Sequence, residues 1–180
     1  MKATGIVRRI DDLGRVVIPK EIRRTMRIRE GDPLEIYTSR DGEVIFKKYS
    51  MLGGLEDFAS QLCDTMSRST GGICAITDRD VILASAGGGR RDIQGRHVSR
   101  DLESTMENRR IYQLSGNQTP VPVSDDVDGL AVAIAAPILS EGDLMGAVLF
   151  LTALPPTPAG EAEYKLAQTI AAFLGRHMEA

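Results

Sequence analysis

Short apolar segments separated by turn residues fill the N-terminal part of the chain. Residues 3–10 and 15–18 are predicted to form strands, with a turn at Asp12-Leu13-Gly14 between them. A short helix is predicted over 20–27. It follows Pro19, because the N–H that proline lacks is not needed in the first helical turn.

A hairpin is predicted next, with strands at 34–38 and 43–47 joined through Asp41-Gly42, a dipeptide that favours a two-residue turn. The apolar residues of this part are few: Ile6, Ile10, Val16, Ile18, Ile22, Met26, Leu34, Ile36, Val44 and Phe46. A unit of about 50 residues buries too little surface to be stable alone. We therefore expect an intertwined homodimer.

The hydrophobic period changes after a short linker at 51–54. Apolar residues recur every three or four positions from Leu55, which predicts an amphipathic helix ending near Gly71. The elements expected downstream are strands at 73–77 and 81–84, a helix from its cap Ser99 to about 108, an extended segment at 121–123, strands at 130–139 and 144–152, and a helix from Pro158 to about 177 with Thr157 as its cap. This order predicts an α+β domain, an antiparallel sheet with helices.

The C-terminal helix has a broad apolar face. Its central stripe consists of Leu166, Ile170, Leu174 and Met178, and it is widened by Ala162, Phe173 and His177. A face this wide predicts that one side of the helix covers the sheet while the other meets a helix of a second subunit. The alternative is that the whole face belongs to the core of one domain.

The charge of the chain is unevenly distributed. Residues 1–50 carry twelve basic and eight acidic side chains, whereas the rest of the chain carries ten basic and seventeen acidic ones. A basic segment joined to an acidic one suggests that the first part binds a polyanion. Aromatic residues make up only 4% of the chain and Trp is absent, which disfavours a surface that stacks single-stranded bases.

The cysteine content, the N-terminus and the apolar runs of the chain bear on its cellular compartment. Two cysteines in 180 residues do not form a disulfide scaffold. The N-terminus is charged from its second residue, unlike a signal peptide, and the longest apolar run, 130–139, is far shorter than a membrane helix. We therefore expect a cytoplasmic protein with no membrane partner.

One stretch of the first part is distinctive: Asp12-Leu13-Gly14-Arg15-Val16-Val17-Ile18-Pro19, followed by Glu21-Ile22-Arg23-Arg24. It resembles the AbrB-type swapped-hairpin DNA-binding domain, and the resemblance spans nearly all of residues 3–48. That family interleaves the hairpins of two chains in a barrel-like dimer that presents arginines to double-stranded DNA. The residues that the resemblance assigns to DNA contact are Arg8, Arg15, Arg23 and Arg24, and the predicted set also includes Lys2 and Arg9.

Arginine suits this role, because its guanidinium pairs with phosphates and with guanine edges. Eight arginines in a dimer, all on phosphates, give a slope of log K against log salt of roughly −7 as a ceiling. Two alternatives remain. The arginines form a solvated face paired with nearby acids, or the domain serves an antitoxin-like protein-interaction module. Antitoxins share this domain, but theirs is followed by a flexible tail.

The element order of the second half, with the hairpin at 130–152, is similar to a GAF domain, a small-molecule sensor fold related to PAS. Both halves together resemble the stage V sporulation protein T group of transcription factors. This resemblance covers the entire chain and implies an activator or repressor of forespore genes, located at the nucleoid, that assembles as a dimer of dimers. The domains expected are 1–50 for DNA binding, 51–54 as linker and 55–180 for sensing and oligomerisation.

Analogy with the GAF fold also suggests where a small molecule binds. The residues predicted to line that site are Ile76, Ser85, Gly87, Gly88, Arg91 and His97. The glycines lack the Gly-Lys-Ser/Thr of a phosphate-binding loop, and the two histidines lack metal-ligand spacing. We therefore expect no metal and no resident cofactor, with the identity of any small-molecule effector left open.

The two cysteines raise a further alternative, because some GAF-fold proteins reduce methionine sulfoxide with cysteines. Cys63 adjoins the apolar stripe of a predicted helix, and Cys74 lies on a predicted strand. Both fit better as small buried hydrophobic residues. With no catalytic constellation in the sequence, we expect a protein that is not an enzyme.

Overall fold

The chain divides into two compact units, Met1–Tyr49 and Ser50–Ala180, hereafter the N-terminal and the C-terminal unit. The structure is a computed structural model that describes residues 4–50, 52, 54–88, 90–116 and 118–179, with the backbone alone at 90 and 91.

The N-terminal unit contains one short helix and one hairpin. The helix α1 is Lys20–Thr25, and the strands are β1 (Leu34–Thr38) and β2 (Val44–Lys48). The strands pair antiparallel with Ile36 opposite Phe46. At the turn, the Ser39 N–H donates to the Glu43 carbonyl at 3.0 Å, and Gly42 has φ of 79°. This positive φ is the reason the turn needs glycine.

Residues 4–10 and 15–18 are not strands in the single chain, in contrast to the sequence prediction; residue 3 lies outside the described residues. A strand requires a ladder of hydrogen bonds, and these segments have no ladder partner among the described residues. The unit also buries little: Pro19 and Ile28 are the buried positions of residues 4–49, while Ile10 is 70% exposed and Val17 is 72% exposed.

The C-terminal unit is an α+β domain, as predicted. Its elements are α2 (Glu56–Thr70), β3 (Ile73–Asp78), β4 (Ile82–Ala86), a 3-10 helix (Arg90–Ile93), α3 (Arg100–Glu107), β5 (Tyr112–Gln113), β6 (Leu130–Ser140), β7 (Asp143–Ala153) and α4 (Glu161–His177). The strands form one antiparallel sheet in the order β4-β3-β7-β6-β5. None of the helices in the described parts of the chain combines the length and the apolar character needed to span a membrane.

Each face of this sheet has its own hydrophobic cluster. Ile76, Ile134 and Val148 belong to the cluster that includes residues of α2 and α4. Ala75 and Leu149, which alternate with Ile76 and Val148 along their strands, belong to the cluster that includes residues of α3 and the 3-10 helix. Alternate residues of a strand point to opposite faces, so helices cover the sheet on both sides.

One glycine sets how closely a helix approaches the sheet. A Cβ added at Gly175 of α4 would lie 2.1 Å from the carbonyl oxygen of Leu139 in β6. Any larger residue would therefore push the helix away from the strand.

Local signals in the sequence explain two helix boundaries. Helix α2 ends at Gly71, which is left-handed with φ of 73°, and the Ser99 hydroxyl caps α3 by accepting the Leu102 N–H at 3.0 Å. Both boundaries were predicted from residue type.

The predicted start of the last helix is wrong. Helix α4 begins at Glu161 after Gly160, whose N–H donates to a Glu163 carboxylate oxygen at 3.0 Å. The hydroxyl of Thr157 lies 3.2 Å from the hydroxyl of Thr152, which also accepts the Thr157 N–H at 3.0 Å. Thr157 is thereby held at the end of β7 and does not cap the helix.

Candidate nucleic-acid interface

A tight turn at residues 11–15 precedes the second predicted strand, and one carboxylate organises it. Asp11 Oδ1 accepts the N–H of Leu13 at 3.0 Å and of Arg15 at 2.7 Å. The backbone adds two bonds: Asp11 N–H donates to the Arg15 carbonyl, and Gly14 N–H donates to the Asp11 carbonyl, both at 3.0 Å. Gly14 has φ of 75°. Asp11 was not among the predicted site residues, although an aspartate ahead of a glycine turn is a known turn signal.

Arg15 is tied to the same carboxylate through its side chain. Its Nε lies 2.8 Å from Asp11 Oδ2, while the Arg15 side chain remains 70% exposed. The Arg15 backbone N–H, then its guanidinium, stabilise the charged carboxylate and so lower the pKa of Asp11. The guanidinium uses Nε for this pair, and its Nη donors, which make no hydrogen bond with the residues that the structure describes, can bind another acceptor.

Four of the other predicted DNA-binding residues have exposed side chains that make no hydrogen bond or ion pair with the described part of the chain: Arg8, Arg9, Arg23 and Arg24. Arg23 and Arg24 lie in the last turn of α1, and Arg8 and Arg9 lie in the segment without a ladder partner. Lys2 lies outside the described residues. Adjacent residues of a helix project about 100° apart, so Arg23 and Arg24 present their charges in different directions.

Another cation of the unit has a structural role. Lys48 Nζ donates to the Arg27 carbonyl at 2.8 Å and lies 3.5 Å from Asp32 Oδ2, whose side chain is 2% exposed. The Arg29 N–H donates to the same carboxylate oxygen at 2.8 Å. Lys48 thus holds the loop after α1 against β2.

Among the residues predicted to line a small-molecule site whose side chains the structure describes, Ile76 and Ser85 lie on opposite faces of the sheet. Ile76 is fully buried in the cluster with α2 and α4, whereas Ser85, 6% exposed, alternates with Ala84 and Ala86 of that cluster and points to the opposite face. His97 is exposed, with Nδ1 3.2 Å from the Asp80 carbonyl oxygen.

Backbone geometry explains why two residues of that set, Gly87 and Gly88, are glycines. A Cβ at Gly87 would lie 2.4 Å from the Gly72 carbonyl, and both Gly87 and Gly88 have positive φ, of 91° and 57°.

The side chain of Arg91 lies outside the described residues. The sheet face towards α3 is filled by apolar side chains that are 0–2% exposed: Ile82, Ile93, Val98, Leu102 and Met106.

Comparison with known proteins assigns both parts of the chain. Residues 54–179 match the family described as "Stage V sporulation protein T C-terminal, transcription factor", and residues 7–51 match "Antidote-toxin recognition MazE, bacterial antitoxin". Over 179 residues, 99% of both chains, the protein is 48% identical to stage V sporulation protein T of Bacillus subtilis (strain 168). The chain belongs to the stage V sporulation protein T family.

Two partial matches account for the halves of this family member. The transition state regulatory protein AbrB of Bacillus subtilis is 63% identical over 49 residues, which are 27% of this chain and 50% of AbrB. The blue-light absorbing form of the Thermosynechococcus elongatus PixJ GAF domain matches 73% of this chain and 89% of its own, with a TM-score of 0.53 and 12% identity. The C-terminal unit of this stage V sporulation protein T family member therefore has the GAF fold, as predicted, and its N-terminal unit is of the AbrB type.

Both cysteines of this stage V sporulation protein T family member are buried thiols. Cys63 and Cys74 are fully buried in the cluster with α2 and α4. Burial raises the pKa of both, that of Cys74 to about 12. A protonated, inaccessible thiol is a poor nucleophile, which counts against cysteine redox chemistry. The described residues hold no group of three or more His, Cys, Asp or Glu side chains arranged to bind a metal.

Proposed function

We propose that this sporulation transcription factor binds double-stranded DNA through Arg8, Arg15, Arg23 and Arg24 of its N-terminal unit, with Lys2 and Arg9 adding charge. The observation that carries the proposal is the exposure of the four described arginines that resemble the AbrB-type contacts, three of them without an ion-pair partner among the described residues. Guanidinium groups of this kind pair readily with phosphates.

A second copy of the chain completes the N-terminal unit in this proposal. The described hydrophobic residues that stay exposed there include Ile6, Val7, Ile10, Val16, Val17, Ile36 and Val44. So many exposed apolar side chains in under 50 residues indicate a surface that pairs with another protein. Interleaving two hairpins would cover these side chains and supply ladder partners to 4–10 and 15–18.

The C-terminal unit joins two such dimers in this proposal. Phe58 of α2 lies near Phe173 and His177 of α4, with ring centroids 6.2 and 5.8 Å apart, and Phe173 remains 48% exposed. An exposed aromatic cluster on paired helices suits a helix-to-helix contact between subunits. The result would be a tetramer built as a dimer of dimers.

Each unit of the chain has its own role in this proposal. Residues 1–50 bind DNA, 51–54 link, and 55–180 multimerise and respond to a small molecule where one binds. Such a molecule regulates only by favouring one arrangement of the DNA-binding units over another. Family membership further supports a non-enzymatic protein that acts in the cytoplasm, at the nucleoid of the forespore.

The test is fluorescence anisotropy on a labelled duplex over a range of salt concentrations. Wild type is compared with Arg23→Ala and Arg24→Ala, and with Arg110→Ala, an exposed arginine of the C-terminal unit, as the matched control. A dimer that loses one phosphate contact per protomer loses about 2 units of the slope of log K against log salt.

Unchanged binding in Arg23→Ala and Arg24→Ala would remove both residues from the interface. Absence of duplex binding by wild type at low salt would overturn the DNA-binding proposal and favour the antitoxin-like alternative, in which the N-terminal unit meets a protein partner.

A further inference from the structure

Asp11 is an acidic residue that lies between Arg8 and Arg15 in the sequence and is paired with Arg15, a residue of the proposed DNA-binding set. A carboxylate close to a polyanion repels it, so an aspartate at this position needs a compensating role. Its contacts indicate one, because Asp11 holds Arg15 in two ways. Oδ1 accepts the Arg15 N–H at 2.7 Å, and Oδ2 pairs with Arg15 Nε at 2.8 Å.

The neighbouring Asp12 provides a contrast within the same turn. It is exposed, like Asp11, and has the same charge, but its side chain makes no hydrogen bond or ion pair with the described residues. The two aspartates therefore have the same charge and are both exposed, and they differ in their contacts with Arg15.

The geometry of the pair leaves Arg15 available for DNA. Arginine has five N–H donors, and the contact with Asp11 joins Nε to Oδ2. A long side chain loses rotamer freedom when it binds, and fixing it beforehand reduces that loss. Arg15, whose side chain is 70% exposed, is thus oriented through Nε, and its Nη groups make no hydrogen bond with the described residues and can meet a phosphate or a base.

We propose that Asp11 is a positioning residue for DNA recognition, which closes the turn at residues 11–15 and aims Arg15 at the duplex. The inference rests on the proposed function, since it requires Arg15 to contact DNA. The lowered pKa of Asp11 agrees with it, because the carboxylate stays charged well below neutral pH.

The test compares three single variants by duplex anisotropy at fixed salt: Asp11→Asn, Asp12→Asn and Arg15→Ala. In Asp11→Asn the side-chain oxygen still serves the two turn amides, while an NH2 group replaces the oxygen that accepts Arg15 Nε. Both Asn variants remove one negative charge. Electrostatics alone therefore predicts that both bind DNA at least as tightly as wild type.

If Asp11 positions Arg15, the affinity for DNA should fall in Asp11→Asn but not in Asp12→Asn. We expect Asp11→Asn to weaken binding by about tenfold, within the range of couplings between contacting residues, while Asp12→Asn leaves it unchanged or tightens it. In an Arg15→Ala background, Asp11→Asn should cause no further loss, which a general structural role of Asp11 would not explain. Sedimentation of each variant verifies that its assembly is intact.

Three results distinguish failure of the positioning role from failure of the proposed function. If wild type and Asp12→Asn bind duplex DNA and Asp11→Asn binds equally well or better, Asp11 competes for Arg15 and the positioning role is overturned. The positioning role is also overturned if Asp11→Asn still weakens binding in the Arg15→Ala background. If wild type itself does not bind, the proposed function fails first.

Discussion

The two units of this chain bury their hydrophobic residues to very different extents. Within residues 4–49, Pro19 and Ile28 are the buried positions, while the C-terminal unit has a buried apolar cluster on each face of its sheet. The comparison teaches that apolar content alone does not define a core. The C-terminal unit covers its own apolar side chains, and in our proposal the N-terminal unit relies on a second chain to cover its side chains.

The largest change in unfolding free energy is expected at an apolar side chain of the N-terminal unit that is exposed in the single chain. Ile10→Ala should cost about 2–5 kcal/mol of unfolding free energy per protomer, because a dimer would bury a side chain that is 70% exposed in the single chain. Urea unfolding at several protein concentrations measures it. Leu154→Ala removes a side chain of the C-terminal unit that is 51% exposed, and it should change stability by less than about 0.5 kcal/mol. Equal, small effects would remove the contrast between the units.

A core substitution in the C-terminal unit should be costly for a local reason. Leu149 of β7 is fully buried, so Leu149→Ala leaves a cavity and should lower the unfolding free energy by about 2–5 kcal/mol. The loss should be independent of protein concentration when thermal unfolding is followed, unlike that of Ile10→Ala. A concentration-dependent loss would show that this core, too, depends on association.

A smaller effect is expected at the cap of α3. Ser99→Ala removes the acceptor for the Leu102 N–H and the donor to the Pro122 carbonyl at 2.6 Å, and should cost about 1 kcal/mol. Ser104→Ala, an exposed serine on the same helix, is the control in the same denaturation experiment. A neutral Ser99→Ala would mean that water replaces the cap.

The buried thiols should show no reaction under native conditions. Because burial raises the pKa of Cys63 and Cys74, both stay protonated at pH 8, and a thiol-reactive dye should label neither until denaturant is added. The stability that the two protonated thiols contribute is fully present below pH 9.0, the ordinary pKa of a cysteine. It is lost as the pH rises through the raised pKa values of Cys63 and Cys74 in the folded protein. Rapid labelling of native protein at pH 8 would contradict the burial of either thiol.

Local chemistry made much of the fold predictable from sequence. Ser99, Gly71 and Asp41-Gly42 act within a few residues of their own position, and each boundary they predicted lies at or within one residue of the observed one. Helix α4 departs from its prediction because Thr157 is engaged by Thr152, a residue of the preceding strand. Strand β5 was missed because two residues, Tyr112 and Gln113, give no periodicity.

The candidate site was predictable in part and for a different reason. The arginines came from resemblance to a known motif, and their exposure agrees with that assignment. Asp11 was missed because acids beside arginines suggest partners of a solvated face before they suggest parts of a turn. Ile76 was placed with Ser85 by analogy with the fold, whereas strand alternation separates them across the sheet.

Hydrogen exchange of the full-length protein tests the central claim most directly, namely that a second chain completes the N-terminal unit. In the single chain the amides of 7–10 and 16–18 have no backbone hydrogen-bond acceptor among the described residues. The account predicts that these amides are protected at high protein concentration and lose protection on dilution below the dimer dissociation constant. Exchange at unstructured rates in concentrated, DNA-binding protein would contradict it.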